Sequence, residues 1–157
     1  MSKATRATSA LLKAGVSFTV RTYDYDPDAR QIGLQAAEAL GADPGRVLKT
    51  LMATVDGKPV CAIVPSNREV SMKRLAAALG GKSASMLAPA EAERITGYVV
   101  GGISPFGQNR RCPVAIEESA LAHERVYING GQRGVQLDLS PTDAAHFLEA
   151  IVASIAS

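Results

Sequence analysis

The sequence predicts a single-domain α/β (α+β) fold in which helices surround a mixed, mostly antiparallel sheet. Three observations point there. Short β-rich or alternating runs recur at 17–23, 46–56, 59–65, 125–129 and 134–139, each close to the length of one strand. Two neighbouring pairs of these runs are joined only by hairpin-length turns, which antiparallel pairing uses and a doubly wound sheet does not. Helical patterns with proline or glycine punctuation fill the intervals. No internal repeat or linker divides the 157 residues, so one domain over 1–157 is expected.

The elements follow in order. Residues 3–14 read as a helix with Ala7, Leu11 and Leu12 as its apolar stripe and Gly15 at its C-terminal cap. Phe18, Val20 and Thr22 alternate along a strand at 17–23, and Asp26-Pro27-Asp28 marks a loop over 24–30. An Ala-rich helix spans 32–40 and closes at Gly41. The run 46–56 is a strand, Asp56-Gly57 is a hairpin turn, and 59–65 is the partner. Ser71 caps a helix that stops at Gly80-Gly81, and 82–87 is a short strand. Pro89 opens a helix over 89–95. Strands follow at 113–117, 125–129 and 134–139. The last places Val135, Leu137 and Leu139 on one face, with Gln136 and Asp138 on the other. Ser140-Pro141 starts a final helix whose stripe is Ala144, Leu148, Ile151 and Ile155.

Composition narrows the function. With 46% apolar and 20% charged residues the chain is globular, and with 4% aromatics and no Trp its core must be mostly Ala, Val, Leu and Ile. A net charge of +2 argues against a dedicated DNA binder, yet leaves room for local arginine patches that meet phosphates. The first fifteen residues lack the apolar core of a signal peptide, and no apolar run reaches the roughly 18 residues of a membrane span. A cytoplasmic protein with no membrane partner is expected. Cys61 and Cys112 read as free thiols. Two histidines, His123 and His146, and no zinc-type spacing leave no expected metal or cofactor. Neither a Walker A motif nor a strand–GxGxxG–helix unit is present.

Two features could carry chemistry. Lys49 shares one side of its strand with Val47, Leu51, Ala53 and Val55. A lysine on an apolar face needs a partner or a ligand, or must snorkel past the sheet edge. The stretch 96–111, TGYVVGGISPFGQNRR, holds Gly97, Gly101, Gly102, Gly107 and Pro105 and ends in Arg110 and Arg111. It reads either as a shaped loop whose N–H groups line a pocket or as a set of tight turns. A second glycine-rich turn, Asn129-Gly-Gly-Gln-Arg-Gly134, presents Arg133 to a phosphate or forms a plain hairpin. Asp24 and Asp26 read as loop formers, His146 as exposed and Cys61 as core packing. No Ser–His–Asp or Cys–His set can be assembled.

The motifs combine into a resemblance. Thr22-Tyr23 precedes an acidic loop with a proline. Val47-Leu48-Lys49-Thr50-Leu51 lies on a strand. Thr96-Gly97-Tyr98-Val99-Val100-Gly101-Gly102-Ile103-Ser104-Pro105-Phe106-Gly107 and Tyr127-Ile128-Asn129-Gly130-Gly131-Gln132-Arg133-Gly134 follow. In this order, over almost the full length, the chain resembles the YbaK/EbsC family of prolyl-tRNA editing domains, nearest its YbaK branch. The resemblance implies a compact α/β domain with a barrel-like sheet. It implies a free-standing deacylase that removes cysteine from Cys-tRNA(Pro) and Cys-tRNA(Cys), assisted by the substrate's own thiol. The alternatives are Ala-tRNA(Pro) editing and a non-catalytic module that binds tRNA or a synthetase.

Residue by residue, the resemblance ties Lys49 to activity with Gly101 and makes Tyr23 and Thr50 pocket residues. Gly102, Ser104, Pro105, Asn129 and Gln136 complete the expected substrate-binding set, with backbone N–H groups near Gly101 and Gly102 on the ester carbonyl. Arg110, Arg111 and Arg133 are the candidates for acceptor-stem phosphates. Expected partners are the acceptor end of an aminoacyl-tRNA and prolyl-tRNA synthetase, with no DNA, and a monomer is expected. Two positions depart from the family pattern: Asn129 stands where serine is frequent, and Gln136 where an acidic residue is frequent. Both bear on amino-acid specificity.

Overall fold

A computed structural model describes residues 4–28 and 31–157. Lys3, expected in the first helix, and Ala29 and Arg30, expected in the acidic loop, lie outside the described residues.

Helix α1 (Arg6–Lys13) starts at Thr5, whose Oγ1 accepts from the Thr8 N–H at 3.1 Å, while Thr8 Oγ1 accepts from the Thr5 N–H at 2.8 Å. This reciprocal cap satisfies two donors that a helix start leaves free. Ala7 and Leu11 are fully buried one turn apart, but Leu12 is 69% exposed and does not belong to the stripe. Strand β1 (Thr19–Thr22) is followed by the loop in which Asp26 Oδ1 accepts from the Asp28 N–H at 2.9 Å, as its loop-forming role predicts. Helix α2 (Ile32–Leu40) ends at Gly41 in the left-handed conformation.

A 3-10 turn (Pro44–Arg46) leads into β2 (Leu48–Val55), which pairs with β3 (Lys58–Pro65). Asp56 (φ 50°) and Gly57 (φ 81°) are both left-handed, the type I′ requirement that fixes the register of this hairpin. Helix α3 (Met72–Ala78) is capped by Ser71 Oγ, which accepts from the Arg74 N–H at 3.2 Å. Then come β4 (Ala84–Met86), α4 (Pro89–Thr96), β5 (Val114–Glu117), β6 (Val126–Asn129), β7 (Val135–Leu139), α5 (Pro141–Leu148) and β8 (Ile151–Ala153).

The strands form two sheets. One is antiparallel in the order β1-β7-β6; the other runs β4-β2-β3-β5-β8 and turns parallel at β3–β5 and β5–β8. Among the described residues, a single parallel bridge between Val47 and Tyr127 connects them. Pairing is mostly antiparallel, as expected, but no closed barrel forms among the described residues, because β4 and β8 are free edges. The main core fills the space between the sheets, with Phe106, Ile63, Ile116, Ile128, Leu137 and Leu139 fully buried. Helix α3 covers the far side of the larger sheet over Val60, Ala62 and Val64. No helix among the described residues is long and apolar enough to cross a membrane.

The C-terminal expectation is corrected. The last helix stops at Leu148, because Glu149 adopts a left-handed conformation (φ 52°). The Ala150 N–H then bonds the Ala145 carbonyl at 2.9 Å, which closes the helix end. Ile151 is no longer on a helical stripe; it pairs with Ala115 in β8. Ile155 is fully buried, but its N–H donates to Glu117 Oε1 at 2.9 Å.

Candidate active site

The site arises from a break in strand pairing. β4 pairs with β2 at Ala53–Val55, and the Tyr127 bridge meets the same edge at Val47. Between them that edge of β2 has no partner strand among the described residues. Backbone groups alternate sides along a strand. The Met52 carbonyl faces this edge, where it accepts from the Leu87 N–H at 3.1 Å, so Thr50 directs its N–H and C=O to the same edge. A cavity of about 340 Å³ opens here, lined by residues 48–52, by Leu87, Pro89 and Ala92, and by Gly101, Ile103, Asn129 and Gln136. The wall is mainly apolar, with few polar groups converging on it.

The two glycine-rich stretches build the far wall together. Gly101 has φ 90°, and a Cβ there would meet the Tyr25 hydroxyl at 2.7 Å. A Cβ on Gly102 would sit 2.9 Å from the Arg133 backbone N, so the loop lies directly on the second turn. Asn129 locks the arrangement: Nδ2 donates to the Gly101 carbonyl at 3.2 Å, and Oδ1 accepts from the Gly131 N–H at 2.7 Å. Arg133 Nε donates to the Val100 carbonyl at 3.0 Å, and its guanidinium stacks on Tyr25 at 5.4 Å. The Val100 N–H donates to Glu93 Oε2 at 2.8 Å.

Lys49 sits at the rim, its side chain 21% exposed and its Nζ 3.4 Å from Glu69 Oε1. Glu69 is largely exposed, so this pair is weak and the ammonium remains available to an anion. The Tyr23 hydroxyl, Thr50 Oγ1 and Gln136 Oε1 are buried with no hydrogen-bond partner among the described residues. Burial pushes the Tyr23 hydroxyl up, and the neighbouring Gln136 amide draws it partly back. Unpaired buried oxygens cost about 1–3 kcal/mol each and mark a place where a donor is missing.

Five of the expected residues therefore meet at one cavity: Lys49, Thr50, Gly101, Asn129 and Gln136. Four others stand apart. The Gly102 N–H is already bonded to the Val99 carbonyl at 2.8 Å and is not free for a ligand. Ser104 is fully buried, its Oγ accepting from the Phe106 N–H at 3.2 Å. Pro105 lines a different cavity with Phe147 and Leu148. Tyr23 borders a shallow groove with Arg133 and Gly134 and is not among the residues lining the cavity. Arg110 is exposed, and exposed Arg111 pairs with Glu149 at 3.3 Å. Cys61 is core packing as expected, its thiol pushed far up by burial, and His146 is exposed. Among the described residues no three His, Cys, Asp or Glu side chains are grouped to hold a metal.

Sequence reasoning missed the apolar wall from Leu87, Pro89 and Ile103, which no local pattern distinguishes from core. It also missed Glu117, a carboxylate 2% exposed. Burial alone would raise this acid, but N–H donors from Ser119, Ala156 and Ile155 outweigh it and hold the carboxyl down at about 2.

The family model of the aminoacyl-tRNA editing domain matches residues 26–147. The chain belongs to the aminoacyl-tRNA editing domain family. The resemblance drawn from the motifs therefore holds. This editing domain is 41% identical over 107 residues to EbsC of Enterococcus faecalis, a protein provisionally named a Cys-tRNA(Pro)/Cys-tRNA(Cys) deacylase; the match covers 67% of this chain and 65% of EbsC. It is 30% identical over 105 residues to the multifunctional Ser/Thr-tRNA deacylase ProXp-y of Escherichia coli, covering 64% of this chain and 60% of ProXp-y. It is 33% identical over 100 residues to the proline–tRNA ligase of Maridesulfovibrio salexigens, covering 64% of this chain but 17% of that enzyme. In fold the editing domain superposes on a crystal structure provisionally described as a trans-editing enzyme for prolyl tRNA synthetase, with TM-score 0.82, 22% identity and coverage of 97% of this chain and 95% of the other.

Proposed function

We propose that this chain is a trans-editing deacylase that cleaves the ester of Cys-tRNA(Pro) and Cys-tRNA(Cys). The observation that carries the reading is the composition of the cavity. It gathers Lys49, Thr50, Gly101, Asn129 and Gln136, yet among the described residues no serine, cysteine, histidine or carboxylate lines it. Such a site holds a reactive ester in position and stabilises charge, but brings no acid–base pair of its own. The likeness to EbsC supports cysteine as the amino acid.

In this reading the Lys49 ammonium holds the phosphate or ribose side of the terminal adenosine. The N–H groups of Gly101 and Thr50 face the ester carbonyl and receive its developing negative charge. The cysteine sulfur attacks its own carbonyl carbon. An S–C bond forms, the C–O bond to the ribose breaks, and the thiol proton passes to the departing ribose oxygen. The four-membered thiolactone is then opened by water to free cysteine.

A second reading has a specific support. ProXp-y acts on seryl and threonyl esters, and the unpaired Thr50 Oγ1 and Gln136 Oε1 suit a thiol or hydroxyl better than the methyl of alanine. Ala-tRNA(Pro) is the weaker substrate here. The matches to proline–tRNA ligases support prolyl-tRNA synthetase as a partner, with the chain acting on the acceptor end of the tRNA. Side-by-side deacylation of cysteinyl, seryl and alanyl tRNA(Pro) tests the assignment: release of cysteine fastest is expected. Failure to cleave any of the three, with tRNA still bound, would establish a non-catalytic module.

A further inference from the structure

A second polar feature lies outside the cavity. Tyr127 is 6% exposed, and two arginines flank its ring, with Arg21 Cζ at 5.9 Å and Arg46 Cζ at 5.7 Å from the centroid. Arg21 Nη1 donates to the Tyr127 hydroxyl at 3.2 Å, and Arg46 Nε donates to the Arg125 carbonyl at 3.0 Å. Arg125 itself is neutralised by Asp138, Nε to Oδ1 at 2.6 Å. Arg21 and Arg46 have no carboxylate within 4.0 Å among the described residues. The nearby Asp43 carboxylate is held in its own turn, accepting from the Gly45 N–H at 2.9 Å. Two guanidiniums are thus fixed by stacking and single hydrogen bonds while most of their donors stay free. That is a preorganised arrangement for phosphate oxygens.

The register connects this pair to the cavity. Arg21 lies opposite Gln136 in β1–β7, and Gln136 lies opposite Asn129 in β6–β7, so the three share one face of the smaller sheet. Tyr127 and Asp138 form the next row on the same face. Tyr127 bridges to Val47, two residues before Lys49 on the same side of β2, or about 7 Å along the strand.

We propose that Arg21 and Arg46, stacked on Tyr127, form a phosphate-binding arm that holds the backbone of the tRNA acceptor strand entering the cavity. The proposal rests on the deacylase reading for its partner. It assigns the strand's path to the Lys49 side, away from Arg110 and Arg111.

The test compares wild type with Arg21→Gln/Arg46→Gln, using binding of uncharged tRNA across a salt series and deacylation of the charged form. A control, Lys13→Gln/Lys73→Gln, removes the same charge elsewhere. Arg21→Gln alone, on an exposed side chain, serves if the double variant is destabilised. Losing two phosphate contacts should make the log–log salt slope shallower by about 1.5. Affinity near 0.1 M salt should fall roughly tenfold or more, and in deacylation the loss should appear in KM with kcat retained. An unchanged slope and affinity, or an equal loss in the lysine control, overturns the arm. Because binding is read on uncharged tRNA, the salt series is independent of catalysis; absence of cleavage by wild type would instead overturn the deacylase reading.

Discussion

Asn129 and Gly101 are joined across 28 residues of sequence by one hydrogen bond, Asn129 Nδ2 to the Gly101 carbonyl at 3.2 Å. The bond fixes the peptide that presents the cavity-facing glycine. Its other arm, on the Gly131 N–H, keeps the second turn in register. Asn129→Asp retains the acceptor for Gly131 but cannot donate to Gly101. We expect it to lower kcat roughly tenfold or more while the melting temperature stays closer to wild type than that of Asn129→Ala, since a neutral hydrogen bond is worth about 1 kcal/mol. A KM effect with kcat unchanged would show that Asn129 only binds.

Lys49→Ala should reduce kcat/KM for the cysteinyl ester by about 100-fold or more, in the range of losing one charge-assisted contact to the terminal adenosine that positions the ester. Stability should change by less than about 1 kcal/mol, because the Glu69 partner is exposed. Thermal melts beside single-turnover rates separate the two effects. Glu69→Gln, which removes the competing carboxylate, should leave the rate equal to or above wild type.

Gly102→Ala should destabilise the domain by about 1–3 kcal/mol through overpacking. The added Cβ would meet backbone atoms, Arg133 N at 2.9 Å and Gln132 C at 3.1 Å, that no rotamer change can move. Urea denaturation reads the cost; a midpoint unchanged from wild type would mean that the two turns separate freely.

Glu117 sets a pH dependence. Its carboxyl is held at about 2, below the ordinary glutamate value, by N–H groups of Ser119, Ala156 and Ile155 that outweigh burial. The unfolded chain therefore takes up this proton first as pH falls. The contribution is complete above about pH 4.5 and is lost progressively towards pH 2, amounting to about 3 kcal/mol. Glu117→Gln should lower stability at neutral pH and flatten the acid limb between those values. Melting temperatures from pH 7 to 2 measure both.

The sequence made α2 legible to the residue, because an Ala-rich periodic run ended in a glycine, and made the β2–β3 hairpin legible through Asp56-Gly57. Ile151 and Ile155 fitted a helical stripe as well as a strand. The choice was made by Glu149 turning left-handed and by pairing with β5, a contact some 36 residues away. Lys49 stood out because a charge on an apolar strand is locally anomalous. The cavity beside it did not, since an unpaired edge depends on where β4 and β6 stop. Gln136 alternated as a solvent-facing residue would, yet it is 4% exposed, because that face of β7 lines the cavity.

The unpaired length of β2 acts as a measuring gap. From Lys49 to Leu51 it offers about 10 Å of edge, closed at one end by β4 and at the other by the Tyr127 bridge. An extended polypeptide would need several consecutive residues of free edge to add itself as a strand. A single aminoacyl group needs only one. On the deacylase reading, this gap would discriminate by chain length before any side chain is read: we expect peptidyl-tRNA to be refused where an aminoacyl ester is admitted, and the spacing of two neighbouring strands would set that limit.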